Sequence, residues 1–155
     1  MRIFTLFVVF AIFFHLGYSF SKIEGNSMDP TLTHGQRLLV DEWTYKFFSP
    51  EKGEIVILKD PEKKEDELVK RIIATEGDTV QIKWGKIFLN DYEFKDSFSN
   101  KAIIFYVNKE ETLWFNENGN KIKVPKGYVW VIGDNREISW HGLVKISKIQ
   151  RRIMK

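Results

Sequence analysis

Covalent or acid–base chemistry needs a nucleophile, a base or a metal, and the residue types present narrow the choice. The 155 residues include no cysteine and only three histidines, His15, His34 and His141. Without Cys there is no thiolate nucleophile, no disulfide and no thiolate metal site. The histidines lie far apart and lack metal-ligand spacing, so no metal site is expected. Hydroxyl and amine groups remain. The stretch Gly25-Asn26-Ser27-Met28-Asp29-Pro30-Thr31-Leu32 sets a serine among turn-forming residues, where its hydroxyl can be exposed. Pro30 fixes its own φ and restricts Asp29 to an extended form, which stiffens the segment carrying Ser27. By itself this octapeptide suits an ordinary turn serine or a cap as well as a nucleophile.

A serine hydroxyl needs a base. His34 follows Ser27 closely and His141 follows Ser139, but neither stands in a context that suggests a Ser-His-Asp arrangement. Lysine can take the same role. Lys70 lies inside the apolar, strand-prone run Glu67-Leu68-Val69-Lys70-Arg71-Ile72-Ile73-Ala74-Thr75. On a strand Leu68, Lys70 and Ile72 share one face, and Val69, Arg71 and Ile73 share the other. At least one cation therefore points into apolar surroundings, or a polar cleft opens there. An edge strand with snorkelling basic side chains fits the same pattern. A free lysine has a pKa of about 10.4, and a general base working near neutral pH needs it roughly 2–3 units lower, which desolvation can supply. A third stretch, Gly127 to Ser139, runs from an apolar strand into a Gly133-Asp134-Asn135 turn. Alone it is a strand ending in a turn.

The elements that must position these groups read as β structure behind an apolar leader. Ile3 to Phe20 is almost wholly apolar, and the only charges before it are Arg2 and the terminal amine. A membrane span needs about 20 apolar residues, with a lower limit near 17, so residues 1–20 are predicted to be an N-terminal transmembrane helix. Gly17 and Ser19 form a small-x-small pair of the kind found at cleavage sites, but the apolar run continues past them. An uncleaved anchor is the preferred reading, with His15 tolerated near the outer interface. Residues 21–155 then form one extracytoplasmic domain, whose many Lys and Arg do not prevent translocation.

In that domain short β-rich runs alternate with turn residues. Strands are predicted at Arg37–Trp43, Glu54–Leu58, Glu67–Thr75, Thr79–Trp84 and Lys86–Leu89. Others are predicted at Ala102–Val107, Thr112–Phe115, Lys121–Val124, Tyr128–Ile132 and Val144–Ile149. Trp84-Gly85-Lys86 and Asn118-Gly119 are turn signals. Asp60 to Asp66 reads as a solvated loop. The expected fold class is all-β, with small antiparallel sheets. Hydrophobic residues make up 43% of the chain, enough for a packed core, and the net charge of +3 comes from interspersed charges rather than a nucleic-acid footprint.

Taken together and in order, the blocks resemble those of bacterial type I signal peptidases. Gly25-Asn26-Ser27-Met28-Asp29-Pro30-Thr31-Leu32 is similar to that family's Gly-x-Ser-Met-x-Pro-Thr-Leu nucleophile motif. Lys52-Gly53-Glu54-Ile55-Val56-Ile57 resembles its basic-Gly-acidic strand motif. Val69-Lys70-Arg71-Ile72-Ile73 with Glu76-Gly77-Asp78 resembles its lysine motif, and Gly133-Asp134-Asn135-Arg136 with Ser139 its Gly-Asp-Asn-Arg motif. The resemblance implies a serine endopeptidase with a Ser-Lys dyad. Ser27 would attack the scissile carbonyl, Lys70 would be the general base, and Ser139 would orient the lysine amine. The Ser27 backbone N–H would form part of the oxyanion hole. Gly25 stands where some relatives carry a serine as second donor, so a second donor lies elsewhere. Arg71 and Asp134 are read as a supporting ion pair.

One departure stands out. Many relatives continue past the Ser139 position with Asp-Ser-Arg; here the sequence is Trp140-His141-Gly142, a shortening that removes a structural salt bridge. The resemblance further implies removal of signal peptides from precursor proteins after small residues, with the lipid bilayer as partner and no cofactor. Small pockets would reject larger side chains by steric clash, and Met28, next to the nucleophile, is a candidate wall or a core residue. The extended substrate would add as a strand to a sheet edge. Two alternatives are a specialised Ser-Lys peptidase, such as one that processes conjugation pili, and a non-enzymatic membrane-tethered binding domain.

Overall fold

A computed structural model describes residues 17–60, 66–95, 97–99, 103 and 121–154, together with 5, 8 and 11. The architecture is two antiparallel sheets. The larger has seven strands in the order β1-β2-β11-β3-β4-β9-β10, and the smaller has four in the order β7-β6-β5-β8. The strands are β1 (Tyr18–Lys22), β2 (Arg37–Asp41), β3 (Ile55–Lys59), β4 (Glu67–Ala74), β5 (Thr79–Lys83) and β6 (Lys86–Leu89). They continue with β7 (Tyr92–Glu93), β8 (Ile122–Lys123), β9 (Tyr128–Ile132), β10 (His141–Lys145) and β11 (Ile149–Ile153). A four-residue helix, α1 (Thr44–Phe47), follows β2. The mainly antiparallel β class read from the sequence is the observed one.

The strands with continuous apolar runs lie in the middle of the large sheet. Ile55-Val56-Ile57-Leu58 of β3 and Val129-Trp130-Val131-Ile132 of β9 are buried on both faces and flank β4 or pair with it. One face carries Val56, Leu58, Leu68, Ile72, Val129, Val131 and Val144. On the opposite face Val69 packs with Ile23, Met28, Leu32, Val40, Ile55 and Ile57. Further along that face Ile73, Trp130 and Ile132 join Val80, Ile82 and Ile87 of the small sheet. The period-2 alternation along β4 thus holds as far as Ile72, after which a register shift with β9 intervenes before Ala74.

Several boundaries differ from those read in the sequence. β1 begins at Tyr18, inside the 1–20 stretch assigned to the anchor, and pairs in register with β2 from Tyr18↔Asp41 to Lys22↔Arg37. Apolar content alone does not separate the end of a helix from a strand with one buried face. β2 stops at Asp41, because that carboxylate accepts from the Trp43 and Thr44 N–H groups at 2.8 and 2.9 Å and turns the chain into α1. The run read as one strand at Val144–Ile149 is two strands, β10 and β11, separated by a 3₁₀ turn at Ile146–Lys148. Trp84-Gly85 is a tight hairpin turn closed by the Lys83↔Lys86 pair, with φ of 53° and 70° at its two central residues. The strands read at 102–107 and 112–115 and the Asn118-Gly119 turn lie outside the described residues. Among the described residues no helix is long and apolar enough to cross a membrane.

Candidate active site

Lys70 sits mid-strand in β4, on the face lined by Val56, Leu68 and Ile72. It is only 2% exposed. Its amine donates to Ser139 Oγ at 2.9 Å. Burial pushes its pKa down to about 8 from the ordinary 10.5, against an opposing pull from the Asp60 carboxylate. The physical cause is desolvation, because the apolar face and a neutral hydroxyl cannot replace the hydration shell of an ammonium group. Roughly a tenth of this amine is therefore neutral at pH 7, rising to about half near pH 8.

Ser139 is buried and its hydroxyl is fully engaged. It donates to the Trp140 carbonyl at 3.0 Å and accepts from the Gly133 N–H at 2.8 Å as well as from Lys70. A hydroxyl has one proton and two lone pairs, so all three are used. With its proton directed at Trp140, Ser139 meets Lys70 only as an acceptor. It takes a hydrogen of the amine and leaves the nitrogen lone pair of the neutral form free for another proton. Trp140 also packs against the apolar face of the sheet.

Ser27 approaches the same strand from a loop. Its hydroxyl lies 3.4 Å from the carbonyl oxygen of Val69, the residue preceding Lys70. Room exists there because β9 pairs with β4 only from Arg71 onward; among the described strands, Glu67 to Lys70 pair with β3 alone. The loop is tied from two sides. Asn135 donates its backbone N–H to Ser27 O at 3.0 Å and its side-chain amide to Asn26 O at 3.1 Å. On the other side the Gly25 N–H donates to His34 Nδ1 at 3.1 Å. Gly133 lies where the two halves meet. A Cβ there would come within 2.1 Å of Ser139 Oγ and 2.2 Å of the Ser27 carbonyl oxygen, so no other residue fits. The turn at Gly133–Asn135 thus touches the Ser27 loop through Asn135 and the Lys70 amine through Ser139.

Arg71 and Asp134 are brought together on the other face of β4. Both side chains are fully enclosed and bind in a fork, Nε to Oδ1 at 2.8 Å and the second nitrogen to Oδ2 at 2.6 Å. Arg71 also donates to the Gly53 carbonyl at 2.7 Å and lies 3.6 Å from the Phe98 ring centroid. Met28 is buried among Ile23, Leu32 and Ile57 beneath the loop. His141 pairs opposite Ile132 and its ring lies 5.5 Å from that of Trp130. Burial, with the Arg136 and Lys70 charges, lowers its pKa to about 4. Among the described residues no group of three or more His, Asp or Glu could hold a metal ion.

Sequence reasoning named Ser27, Lys70, Ser139, Arg71 and Asp134 but assigned nothing to Gly133 or Asn135. Their signal was the Gly-Asp-Asn turn itself, placed directly after a buried strand. The partner segment lies 109 residues away, which no local pattern encodes.

The profile of the family described as signal peptidase, peptidase S26, matches residues 1–150. The chain is 34% identical over 129 residues to thylakoidal processing peptidase 1 of Arabidopsis thaliana, covering 77% of this chain and 34% of that one. It is 38% identical over 121 residues to signal peptidase I P of Bacillus subtilis subsp. natto, covering 76% and 61% respectively. For signal peptidase IB of Staphylococcus aureus the identity is 34% over 146 residues, covering 88% and 75%. The chain therefore spans about a third and about three fifths of the first two of these relatives. In fold it is similar to a crystal structure of a signal peptidase I from Enterococcus faecalis, with a TM-score of 0.51 and 21% identity over 70% of this chain and 98% of that one. The chain belongs to the peptidase S26 signal peptidase family.

Proposed function

We propose that this chain is a signal peptidase I, a serine endopeptidase that removes signal peptides from secretory precursors with Ser27 as nucleophile and Lys70 as general base. The observation that carries the reading is the state of Lys70: an enclosed amine, its pKa near 8, held by a neutral hydroxyl rather than a carboxylate, beside the strand residue whose carbonyl meets the Ser27 hydroxyl. In its neutral form, which burial brings within reach near pH 8, this amine can take the Ser27 proton as the hydroxyl adds to the scissile carbonyl, and return it to the leaving amine. Water then hydrolyses the acyl-enzyme with the same lysine as base. The Ser27 N–H supplies one oxyanion donor.

The precursor fits as an extended strand along the open edge of β4 at Glu67 to Lys70, where main-chain hydrogen bonds hold it and small pockets select small residues at the first and third positions before the cut. Residues 1–17 serve as a single membrane anchor, close to the lower length limit for a span. The domain from Tyr18 onward stands on the extracytoplasmic side, where an anchored precursor presents its cleavage site. Neither a metal nor an organic cofactor enters the mechanism.

The test uses detergent-solubilised full-length wild type, Ser27→Ala and Lys70→Ala with a precursor bearing an Ala-x-Ala site, the products mapped by mass spectrometry. Cleavage after the second Ala by wild type alone is the expected result. Cleavage that survives Ser27→Ala would remove the mechanism. A folded wild type that cuts only a narrow set of clients would favour a specialised peptidase of the same family.

A further inference from the structure

Ser27 sits in a loop that leaves β1 at Lys22 and enters β2 at Arg37. Its foot is a backbone clasp: the Ile23 N–H donates to the Gln36 carbonyl and the Gly35 N–H to the Ile23 carbonyl, each at 2.8 Å. Beyond Ser27 the chain is well held. The Asp29 N–H donates to the Asn26 carbonyl at 3.2 Å, the Leu32 N–H donates to the Met28 carbonyl at 3.1 Å, and Met28 and Leu32 are buried with Ile23. The limb before Ser27 is different. Glu24, Gly25 and Asn26 are exposed, and a Cβ on Gly25 would meet no atom within 4 Å. Gly25 also takes a φ of 84°, in the left-handed region that favours glycine. Packing therefore leaves the path through Gly25 open, and a swing there moves Ser27, two residues on.

One side chain spans this gap. His34 stands on the returning limb, in a turn closed by the Gln36 N–H on the Thr33 carbonyl and the Thr33 N–H on the Gln36 side-chain oxygen, each at 3.2 Å. Its Nδ1 accepts the Gly25 N–H at 3.1 Å. A ring nitrogen that accepts carries no proton, so the ring carries its proton on Nε2. His34 is thus engaged at Nδ1 on the backbone rather than on the Ser27 hydroxyl, which faces the Val69 carbonyl. From the other end Asn135 binds the Asn26 and Ser27 carbonyls. Ser27 is therefore bracketed, with one tie on the N–H two residues before it and the other on its own carbonyl and the preceding one.

We propose that His34 is a positioning residue: by accepting the Gly25 N–H it fixes the backbone ahead of Ser27 and holds the Ser27 hydroxyl in register with Lys70. The proposal rests on Ser27 being the nucleophile. His34 transfers no proton in this role; it supplies one acceptor at one point. With Asn135 alone the loop is held at its carbonyls but can tilt about Gly25, and a small misplacement of a reacting group is costly in rate. The role also dictates which substitutions are tolerated. In both histidine and asparagine the acceptor is bonded directly to Cγ, so asparagine Oδ1 can stand in for Nδ1. Glutamine carries its oxygen one bond further out, closer to the place of Nε2, and alanine has no acceptor.

The test sets His34→Asn, His34→Gln and His34→Ala beside wild type and Ser27→Ala, all as the full chain in detergent. Cleavage of a soluble peptide gives kcat and KM, and amide hydrogen exchange at Gly25 is read by NMR. His34 is exposed, so the variants keep the core, and urea midpoints check this. Should His34→Ala prove less stable, the comparison of Asn with Gln, two amides at one exposed position, decides. The expected result is a Gly25 amide protected in wild type and His34→Asn and exchanging fast in His34→Gln and His34→Ala. With it, kcat falls about tenfold in His34→Gln and His34→Ala with KM little changed, and stays within about twofold of wild type in His34→Asn. Wild-type kcat in all three variants would overturn the proposal. So would an equal loss in all three with Gly25 still protected, because His34 would then act through something other than this bond. Cleavage that survives Ser27→Ala would remove the nucleophile itself, while Gly25 exchange would still report whether the brace exists.

Discussion

Lys70 and Arg71 are consecutive residues of one strand, both enclosed, and the fold treats them in opposite ways. Arg71 faces a carboxylate in a two-pronged ion pair, with a backbone carbonyl and an aromatic ring completing its surroundings. Lys70, on the other face, meets one neutral hydroxyl and apolar side chains. The guanidinium keeps its charge under all ordinary conditions, so its burial demands a counter-charge. The amine can lose its proton, so its burial lowers its pKa instead of demanding a counter-charge. One cation fastens the Gly-Asp-Asn turn to the sheet, and its neighbour is left with a lowered pKa and no counter-charge. The turn held by Arg71 in turn carries Asn135 and leads to Ser139, which touch the Ser27 loop and Lys70.

The largest expected effect separates the two in activity. Lys70→Met keeps the volume of the side chain but removes the proton acceptor, and loss of one member of such a unit costs on the order of 10⁴–10⁶ in kcat. Steady-state cleavage of a peptide substrate measures it; activity within tenfold of wild type would show that Lys70 is not the base. Next in size is Arg71→Leu, which leaves the Asp134 carboxylate enclosed and unpaired at a cost of about 3–5 kcal/mol. Urea unfolding monitored by tryptophan fluorescence reads this, and a loss below about 1 kcal/mol would mean the pair contributes little.

The same Lys70→Met variant is expected to be more stable than wild type below pH 8. The unfolded chain holds the Lys70 proton up to the ordinary value of 10.5 and the folded chain only up to about 8. The unfolded state therefore binds more protons between these values, and wild-type stability rises with pH across that window. Below pH 8 the whole penalty is present, up to about 3 kcal/mol at about 1.4 kcal/mol per unit. The advantage of Lys70→Met should shrink towards zero as pH approaches 10.5, as unfolding curves at several pH values would record. The smallest effect belongs to Asn135→Ala. It keeps the backbone bond to Ser27 and loses only the amide bond to Asn26, for about 0.5–1.5 kcal/mol in stability and a several-fold fall in kcat with KM little changed. An unchanged kcat would show that this bond does not position the nucleophile.

Much of this site is legible in the amino-acid sequence. A lysine and an arginine inside an apolar strand conflict with simple alternation, and the fold resolves that conflict by enclosing both. The apolar runs of β3, β4 and β9 mark the middle of the large sheet, and Trp84-Gly85 marks the hairpin of the small one. What the sequence hides depends on long-range contact or on the ambiguity of short apolar segments. Tyr18–Phe20 end the apolar leader in composition, and only the pairing of Tyr18–Lys22 with β2 makes the segment a strand. Trp43 extends an apparent strand until the Asp41 carboxylate caps the following turn. The requirement for glycine at 133 arises from Ser27 and Ser139 converging on it, and neither is a sequence neighbour.

The central claim is that catalysis runs through a lysine whose pKa is lowered by burial. The pH dependence of kcat/KM for a soluble peptide substrate, measured from pH 4 to 10 with the folded state checked at each point, tests it most directly. The expected profile rises with unit slope at low pH and levels through an apparent pKa of about 8. A profile flat from pH 6 to 10, or a rise centred near 4 where His141 would titrate, would contradict it.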